Sequence, residues 1–248
     1  MKISIVMSAY NNLDLTKIAY KSITENTDVP YRLTIVENNS ADDSREWLMQ
    51  LEDENVNKIF PEKNVGCVGA RNLGIKDLNE DTEHVVFMDN DIVATKGWAS
   101  SLVEFMEENQ NIGICGPVTN FAGNPQLIDG LTVLDYSEID AIEERAEKIR
   151  RGNKSHSIAP NKWPIVGFCF FVRRKVIDVV GLFDNKLVAF GDETDYCLRA
   201  ESNGWKLSYV NNVYVHHWGH ASKKTEGAHG KEDLKKSRIY FRNKWGNI

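Results

Sequence analysis

The chain has no run approaching the ~20 consecutive apolar residues that a bilayer-spanning helix needs. Its opening Ile3-Ser4-Ile5-Val6-Met7, directly behind Met1 and Lys2, is too short for a signal-peptide core. The expected location is therefore cytoplasmic, with peripheral contact at the inner face of a membrane left open. A C-x-x-C pair is also missing. The four cysteines (Cys67, Cys115, Cys169, Cys197) are scattered, which argues against a zinc knuckle or redox dithiol and fits a reducing compartment. Each reads as a small buried hydrophobe. Positive charge is not in excess: 30 Lys and Arg stand against 36 Asp and Glu, a net charge of −6. The overall field thus favours neither nucleic acid nor an anionic membrane as partner. There is no internal repeat, no low-complexity segment and no G-x-G-x-x-G dinucleotide fingerprint.

What is present fits one large globular domain. The 248 residues are 42% hydrophobic and 27% charged, ordinary for a soluble fold with a sizeable core. The first half alternates short apolar runs with helical spacing. Residues 3–7 form a strand ended by the polar turn Ser8-Ala9-Tyr10-Asn11-Asn12, and residues 13–24 then space Leu15, Ile18, Ala19 and Ile23 as a helix. Residues 31–36 form a second strand, ended by Glu37-Asn38-Asn39-Ser40, and residues 45–51 a helix capped by Asp43 or Ser44. Residues 56–60 and 84–88 supply a third and a fourth strand. Such alternation indicates a parallel α/β sheet, in which ligands bind outside the carboxyl ends of the strands. The polar turns should therefore gather on one edge. Past Ile112 the pattern changes: residues 136–154 read as a charged surface helix, 163–172 as an apolar and aromatic run, 205–217 as a strand, and 223–236 as a polar, mobile stretch.

Four clusters carry chemistry. Asp89-Asn90-Asp91 directly follows the fourth strand; its two carboxylates can hold a hard divalent cation, or the turn can cap the next helix. Asp192-Glu193-Thr194-Asp195 crowds three acids into four residues, a costly arrangement without a partner. With Phe190-Gly191 as a turn and Tyr196 onward as a helix, these acids fall at a helix N-terminus, and Asp195 can pair with Arg199 at i+4. Asp192 and Glu193 remain as candidates for a general base. His216-His217 and His220 form the third cluster and can complete a metal shell begun by Asp91 or be structural. In Asn64-x-Gly66-x-x-Gly69-Ala70-Arg71-Asn72, the glycines allow either close approach to a nucleotide or tight helix packing, and Arg71 can meet a phosphate.

In order and spacing these segments, together with Gly181-Leu182-Phe183-Asp184 and Val215-His216-His217, resemble the inverting glycosyltransferase family 2 with its GT-A fold, over residues 3 to about 222. The resemblance implies a Rossmann-like, mostly parallel central sheet flanked by helices. Residues 1–115 would be the donor half, 116–222 an acceptor-side half carrying the catalytic base, and 223–248 a basic, aromatic tail that solvates a helix, closes over phosphate or meets a membrane-borne acceptor. It further implies that Ser8, Ala9, Tyr10, Glu37, Asn39, Arg71, Asp89 and Asn90 bind a nucleoside-diphosphate sugar; Glu37 reading the imino proton of uracil or thymine would favour a UDP- or dTDP-linked donor. The cofactor would be Mn²⁺ or Mg²⁺ on Asp91 and Asp89, with His216 or His217 as a further ligand. Glu193 would be the base, with Asp192 as the runner-up. Trp163, Gly167, Phe168 and Trp218 would bind a carbohydrate or glycoconjugate acceptor, with Phe170 as a further aromatic candidate. Two departures stand out: Glu replaces the family's usual Asp at both 37 and 193. A nucleotidyltransferase is the first rival, but it would carry Gly and Lys in the first turn, where Ser8-Ala9-Tyr10-Asn11-Asn12 has neither. A non-catalytic carbohydrate-binding protein is the second.

Overall fold

The computed structural model describes residues 3–128, 130–131, 138–152, 156–158, 164–219 and 231–246. In chain order the elements are β1 (Ile3–Ala9), α1 (Leu13–Asn26), β2 (Tyr31–Glu37), α2 (Ser44–Gln50), β3 (Val56–Ile59), α3 (Gly66–Lys76), β4 (His84–Asp89), β5 (Ile92–Ala94) and α4 (Trp98–Glu108). There follow β6 (Ile112–Val118), α5 (Ile139–Gly152), β7 (Ser157–Ile158), β8 (Cys169–Arg173), α6 (Arg174–Val180), α7 (Asp192–Ser202), β9 (Lys206–His217) and α8 (Lys231–Trp245). Their strands form one sheet in the order β3-β2-β1-β4-β8-β6-β9-β5, with β7 pairing to β9. The β3-β2-β1-β4 half is parallel, as the apolar runs predict. Beyond β4 the sheet is mixed: β8 runs antiparallel to both neighbours, while β9 runs parallel to β6.

Strand periodicity explains the layering. Along β1, Ile3, Ile5 and Met7 face one core and Val6 the other; along β4, Val86 and Met88 oppose Val85 and Phe87. A strand buried on both faces must be apolar throughout. On the first face lie Ala19 and Ile23 of α1 and Trp98, Leu102 and Met106 of α4. On the second lie Val68 of α3, Val176 of α6, and Tyr196 and Ala200 of α7. The charged helix α5 is not wholly solvated. Its stripe Ile142, Ala146 and Ile149 packs with Val93, Val118 and Tyr214, the i, i+4, i+7 spacing of one helical face.

These directions set the position of the site. The carboxyl ends of β1, β2, β4, β6 and β9, and the start of β8, all open on one edge of the sheet. The polar turns do gather there, and their asparagines carry the sharp bends. Asn11, Asn12 and Asn39 all have positive φ, at 53°, 58° and 58°, a region that Asn enters at lower cost than most residues. At the far end, residues 231–236, expected within a polar stretch, form the first turns of α8, while residues 223–230 lie outside the described residues. Among the described residues no helix is long and apolar enough to cross a membrane. The cysteines are free, three of them buried.

Candidate active site at the carboxyl edge of the sheet

Register brings the donor-side candidates together. Ala9 stands beside Glu37, and Ser8 lies between Val36 and Asp89. Tyr10 follows β1, half-buried. Glu37 is fully buried. One of its oxygens accepts the Ser40 amide at 2.7 Å, and the other pairs with Arg45 at 3.1 Å. The extra methylene of Glu thus turns its carboxylate back into its own loop. Asn39 forms the left-handed bend of that loop. Its neighbour Asn38 ties the loop to α3, accepting the Val65 amide and donating to the Gly66 carbonyl. Asn90, expected to contact the donor, has structural partners for its amide nitrogen. Its amide nitrogen donates to the Asn11 carbonyl and to Thr16 Oγ1, at 3.1 and 2.7 Å, and so tethers the acidic turn to α1.

Asp89, Asp91 and His217 each bring one ligand atom within 4.8 Å of the other two. His217 Nε2 is 3.4 Å from Asp91 Oδ1 and 3.9 Å from Asp89 Oδ2. Strand alternation separates the two histidines. His216 turns to the Tyr214 hydroxyl, 2.8 Å from its Nδ1, so the candidate shell contains His217 and not His216. His217 Nδ1 lies 2.9 Å from the Phe121 carbonyl. A carbonyl only accepts, so Nδ1 carries a proton and Nε2 is the atom turned to the two carboxylates: protonated it donates to Asp91, deprotonated it offers its lone pair to a cation. The latter is the tautomer that a metal ligand needs, held by a second partner. Burial disfavours a charge on His217, but the hydrogen bond and charge of Asp91 outweigh it, and its pKa is raised. The Asp89 carboxyl is also pushed up, chiefly by burial, against the pull of Arg71.

Two further groups hold His217. Phe168, expected at the acceptor, is wholly buried and stacks on the imidazole at 5.1 Å and 14°. It has no face left for a sugar, and the expectation is corrected to a shelf for His217. Phe170 is likewise core, packed against Phe183 and Tyr196. Asn120 was not singled out from sequence. Its Oδ1 accepts the His217 amide at 2.9 Å, its Nδ2 donates to the His217 carbonyl at 3.0 Å, and the Tyr214 hydroxyl donates to it at 3.1 Å. Its one sequence signal was an Asn just beyond a strand that ends on this edge.

Arg71 joins the cation-type cluster to the acidic helix start. Its buried guanidinium lies 3.8 Å from Asp89 Oδ1, 2.8 Å from Asp192 Oδ2 and 3.3 Å from Glu193 Oε1. The acids begin α7, whose N-cap is Gly191 at φ 80°. Asp195 pairs with Arg199 at 2.8 Å, as the i+4 spacing predicts. Burial and the adjacent Glu193 push the Asp192 carboxyl well above the usual carboxylate range, although Arg71 pulls it down. Gly167, expected at the acceptor, closes against this group: a Cβ there would overlap both the Arg71 guanidinium and the Glu193 carboxylate. Cys67 lies one helical turn before Arg71, and burial pushes its thiol up to about 12. Trp218 is half-buried beside the site, and its amide donates to the Asp91 carbonyl at 2.9 Å. Trp163 and His220 lie outside the described residues.

Comparisons with known proteins identify the family and the fold. A family model described as glycosyl transferase family 2 matches residues 4–181. An uncharacterized glycosyltransferase of Rickettsia conorii is 33% identical over 111 residues, which are 45% of this chain and 18% of that protein. The chain therefore spans under a fifth of that relative's length. Among solved structures, GalNAc-T7 with UDP, GalNAc and Mn²⁺ superposes with a TM-score of 0.66 at 16% identity, over 88% of this chain and 44% of that one. TarS residues 1–349 of S. aureus, in complex with UDP-GlcNAc, also gives 0.66, at 15% identity over 98% and 67%. With a GT-A fold and the family pattern running through most of its length, this chain belongs to glycosyl transferase family 2.

Proposed function

We propose that this chain transfers a sugar from a nucleoside-diphosphate donor to a hydroxyl of a carbohydrate or glycoconjugate, with inversion at the anomeric carbon. The observation that carries the reading is the reach of Arg71, which contacts Asp89 of the metal-type cluster and Glu193 of the acidic helix start with one guanidinium nitrogen. The acids read as cation-holding and those read as proton-accepting therefore meet at one arginine. UDP is the favoured nucleotide, supported by the UDP-bound relatives of this fold.

The donor set fits Mn²⁺ or Mg²⁺: two carboxylates and one imidazole, with the ring tautomer already fixed. When bound, the ion would neutralise charge building on the departing diphosphate. Asp91, Asp89 and His217 would hold it. Ser8, Ala9 and Tyr10 would line the nucleoside. Arg71 holds Asp192 more tightly than Glu193, and Glu193 is the more exposed of the two acids, at 26% against 14%. Both differences support Glu193 as the base. It takes the proton of the acceptor hydroxyl as that oxygen attacks the face opposite the leaving group, through an oxocarbenium-like transition state. The chain from residue 116 onward would supply the acceptor side, with Trp218 at its rim.

The test is nucleoside diphosphate release across a panel of UDP- and dTDP-sugars with Mn²⁺ or Mg²⁺, beside thermal shifts with the free diphosphates. Metal-dependent release with at least one donor is the expected result. Stabilisation by UDP and metal without release from any donor, at any acceptor tried, would favour the non-catalytic carbohydrate-binding reading. Neither release nor stabilisation would remove the donor site itself.

A further inference from the structure

Helix α8 lies beyond the segment matched by the family model, and its basic and aromatic residues were expected to solvate a surface. Its last two turns instead close on the stretch that presents the catalytic acids. Asp195 is completely buried at the first turn of α7. Besides Arg199, it receives Lys244 Nζ at 2.7 Å and Trp245 Nε1 at 2.8 Å, both from α8. The same ammonium bonds Asp184 Oδ2 at 2.8 Å, where the Tyr240 hydroxyl also donates at 3.0 Å. Lys244 thus staples the two ends of residues 184–195. Between them, the ring of Phe241 lies against the Gly191 backbone, with a carbon 2.6 Å from where a Cβ would be, and Phe190 packs edge-on to it at 5.8 Å. From the other side Asn72 of α3 grips the entry to this stretch, donating to the Phe183 carbonyl and accepting its amide.

We propose that α8 positions the catalytic segment: Phe241, Lys244 and Trp245 fix the N-terminus of α7 so that Asp192 and Glu193 are held at Arg71. The inference rests on the transferase reading for its consequence, but not for its structural content. Asp192 and Glu193 are three and two residues from Asp195, on the same helical turn. A tilt of that turn would move both carboxylates away from Arg71. Misplacing a reacting group by about 1 Å can cost up to about 100-fold in rate, while a donor bound on the β1, β2 and β4 side would be held as before.

The experiment uses the full chain with Lys244→Met, Lys244→Arg and Trp245→Phe. Lys244→Met keeps an unbranched apolar side chain of similar reach and removes the charge; Trp245→Phe keeps an aromatic ring and removes the indole donor. Two readouts are taken well below the unfolding temperature of each variant: amide hydrogen exchange over residues 184–195, and steady-state kinetics with the most active donor. The expected results are faster exchange confined to that stretch and, for Lys244→Met, a kcat lowered about 10- to 100-fold at nearly unchanged donor KM, with Lys244→Arg restoring most of it. Unaltered exchange at 184–195 in both Lys244→Met and Trp245→Phe would overturn the proposal. So would faster local exchange with wild-type kcat, or a matching rise throughout the sheet. If no donor turns over in the wild type, the transferase reading fails, and the exchange measurement still decides whether α8 holds the segment.

Discussion

At the scale of single residues, the site depends on small differences in reach. Asp192 and Glu193 are adjacent, yet Asp192 takes the short contact to Arg71 and Glu193 keeps the more open side. Glu193→Gln is expected to lower kcat by about 10²–10⁴-fold while the affinity for UDP with metal, measured by calorimetry, stays within error. A dead Asp192→Asn beside a fully active Glu193→Gln would move the base by one position. Gly167→Ala tests the packing of the same group. The new methyl would meet the Arg71 guanidinium and the Glu193 carboxylate, and neither can retreat without breaking an ion pair in a buried setting. Turnover should fall at least tenfold, an order-of-magnitude expectation for a displaced catalytic group, with thermal unfolding showing the fold retained. Wild-type turnover in Gly167→Ala would mean that Arg71 and Glu193 need not touch. The acids were legible from sequence because three carboxylates in four residues are costly without partners. The occupation of Glu37 by Arg45 and the Ser40 amide was not, because it depends on how one loop folds back on itself.

At the scale of elements, the cation-type cluster is assembled from strand ends. Asp89 ends β4, Asp91 follows it, His217 ends β9, and Asn120 lies just past β6 and grips the His217 backbone from both sides. Asn120→Ala is expected to weaken Mn²⁺ binding about 10- to 100-fold, the usual cost of losing a group that orients a metal-ligating histidine. Titration of the ion followed by magnetic resonance would measure it, and unchanged Mn²⁺ affinity would exclude Asn120 as a positioning residue. Strands β1, β2 and β4 could be read directly, because an apolar run closed by a polar turn is a local pattern. The antiparallel insertion of β8 beside β4 could not. An apolar run does not say which neighbour it will pair with, and it is this pairing that puts Phe168 under the His217 ring. The tail illustrates the same limit: its mixture of Lys, Arg and aromatics is read as a solvated helix until Asp184 and Asp195 are found beneath it.

At the scale of the whole molecule, the opposite end of the sheet holds a buried group that links folding to pH. His84 and Arg173 are register partners on β4 and β8. Burial first, and then the Arg173 charge, lower the His84 pKa from 6.5 to about 4, against the weaker pull of Glu107. The folded chain therefore prefers neutral His84. Its contribution to stability is complete above the unfolded value of 6.5 and is lost as pH falls toward about 4. At about 1.4 kcal/mol per pH unit, the loss over that interval reaches about 3 kcal/mol. Urea unfolding of the wild type and of His84→Phe between pH 7 and 4.5 is expected to show the wild type losing stability relative to the variant as pH falls; parallel curves would show that His84 does not titrate on unfolding. The sequence by itself determined the alternation of strands and helices, the edge on which the polar turns collect and the identity of the acids. Period-two burial, turn chemistry and charge crowding all act within a few residues. Only the tertiary structure decided which histidine faces the carboxylates, how Arg71 divides its contacts between acids 121 and 122 residues away, and what the last helix holds in place. Those outcomes depend on strand pairing and on contacts between distant segments, which no local pattern specifies.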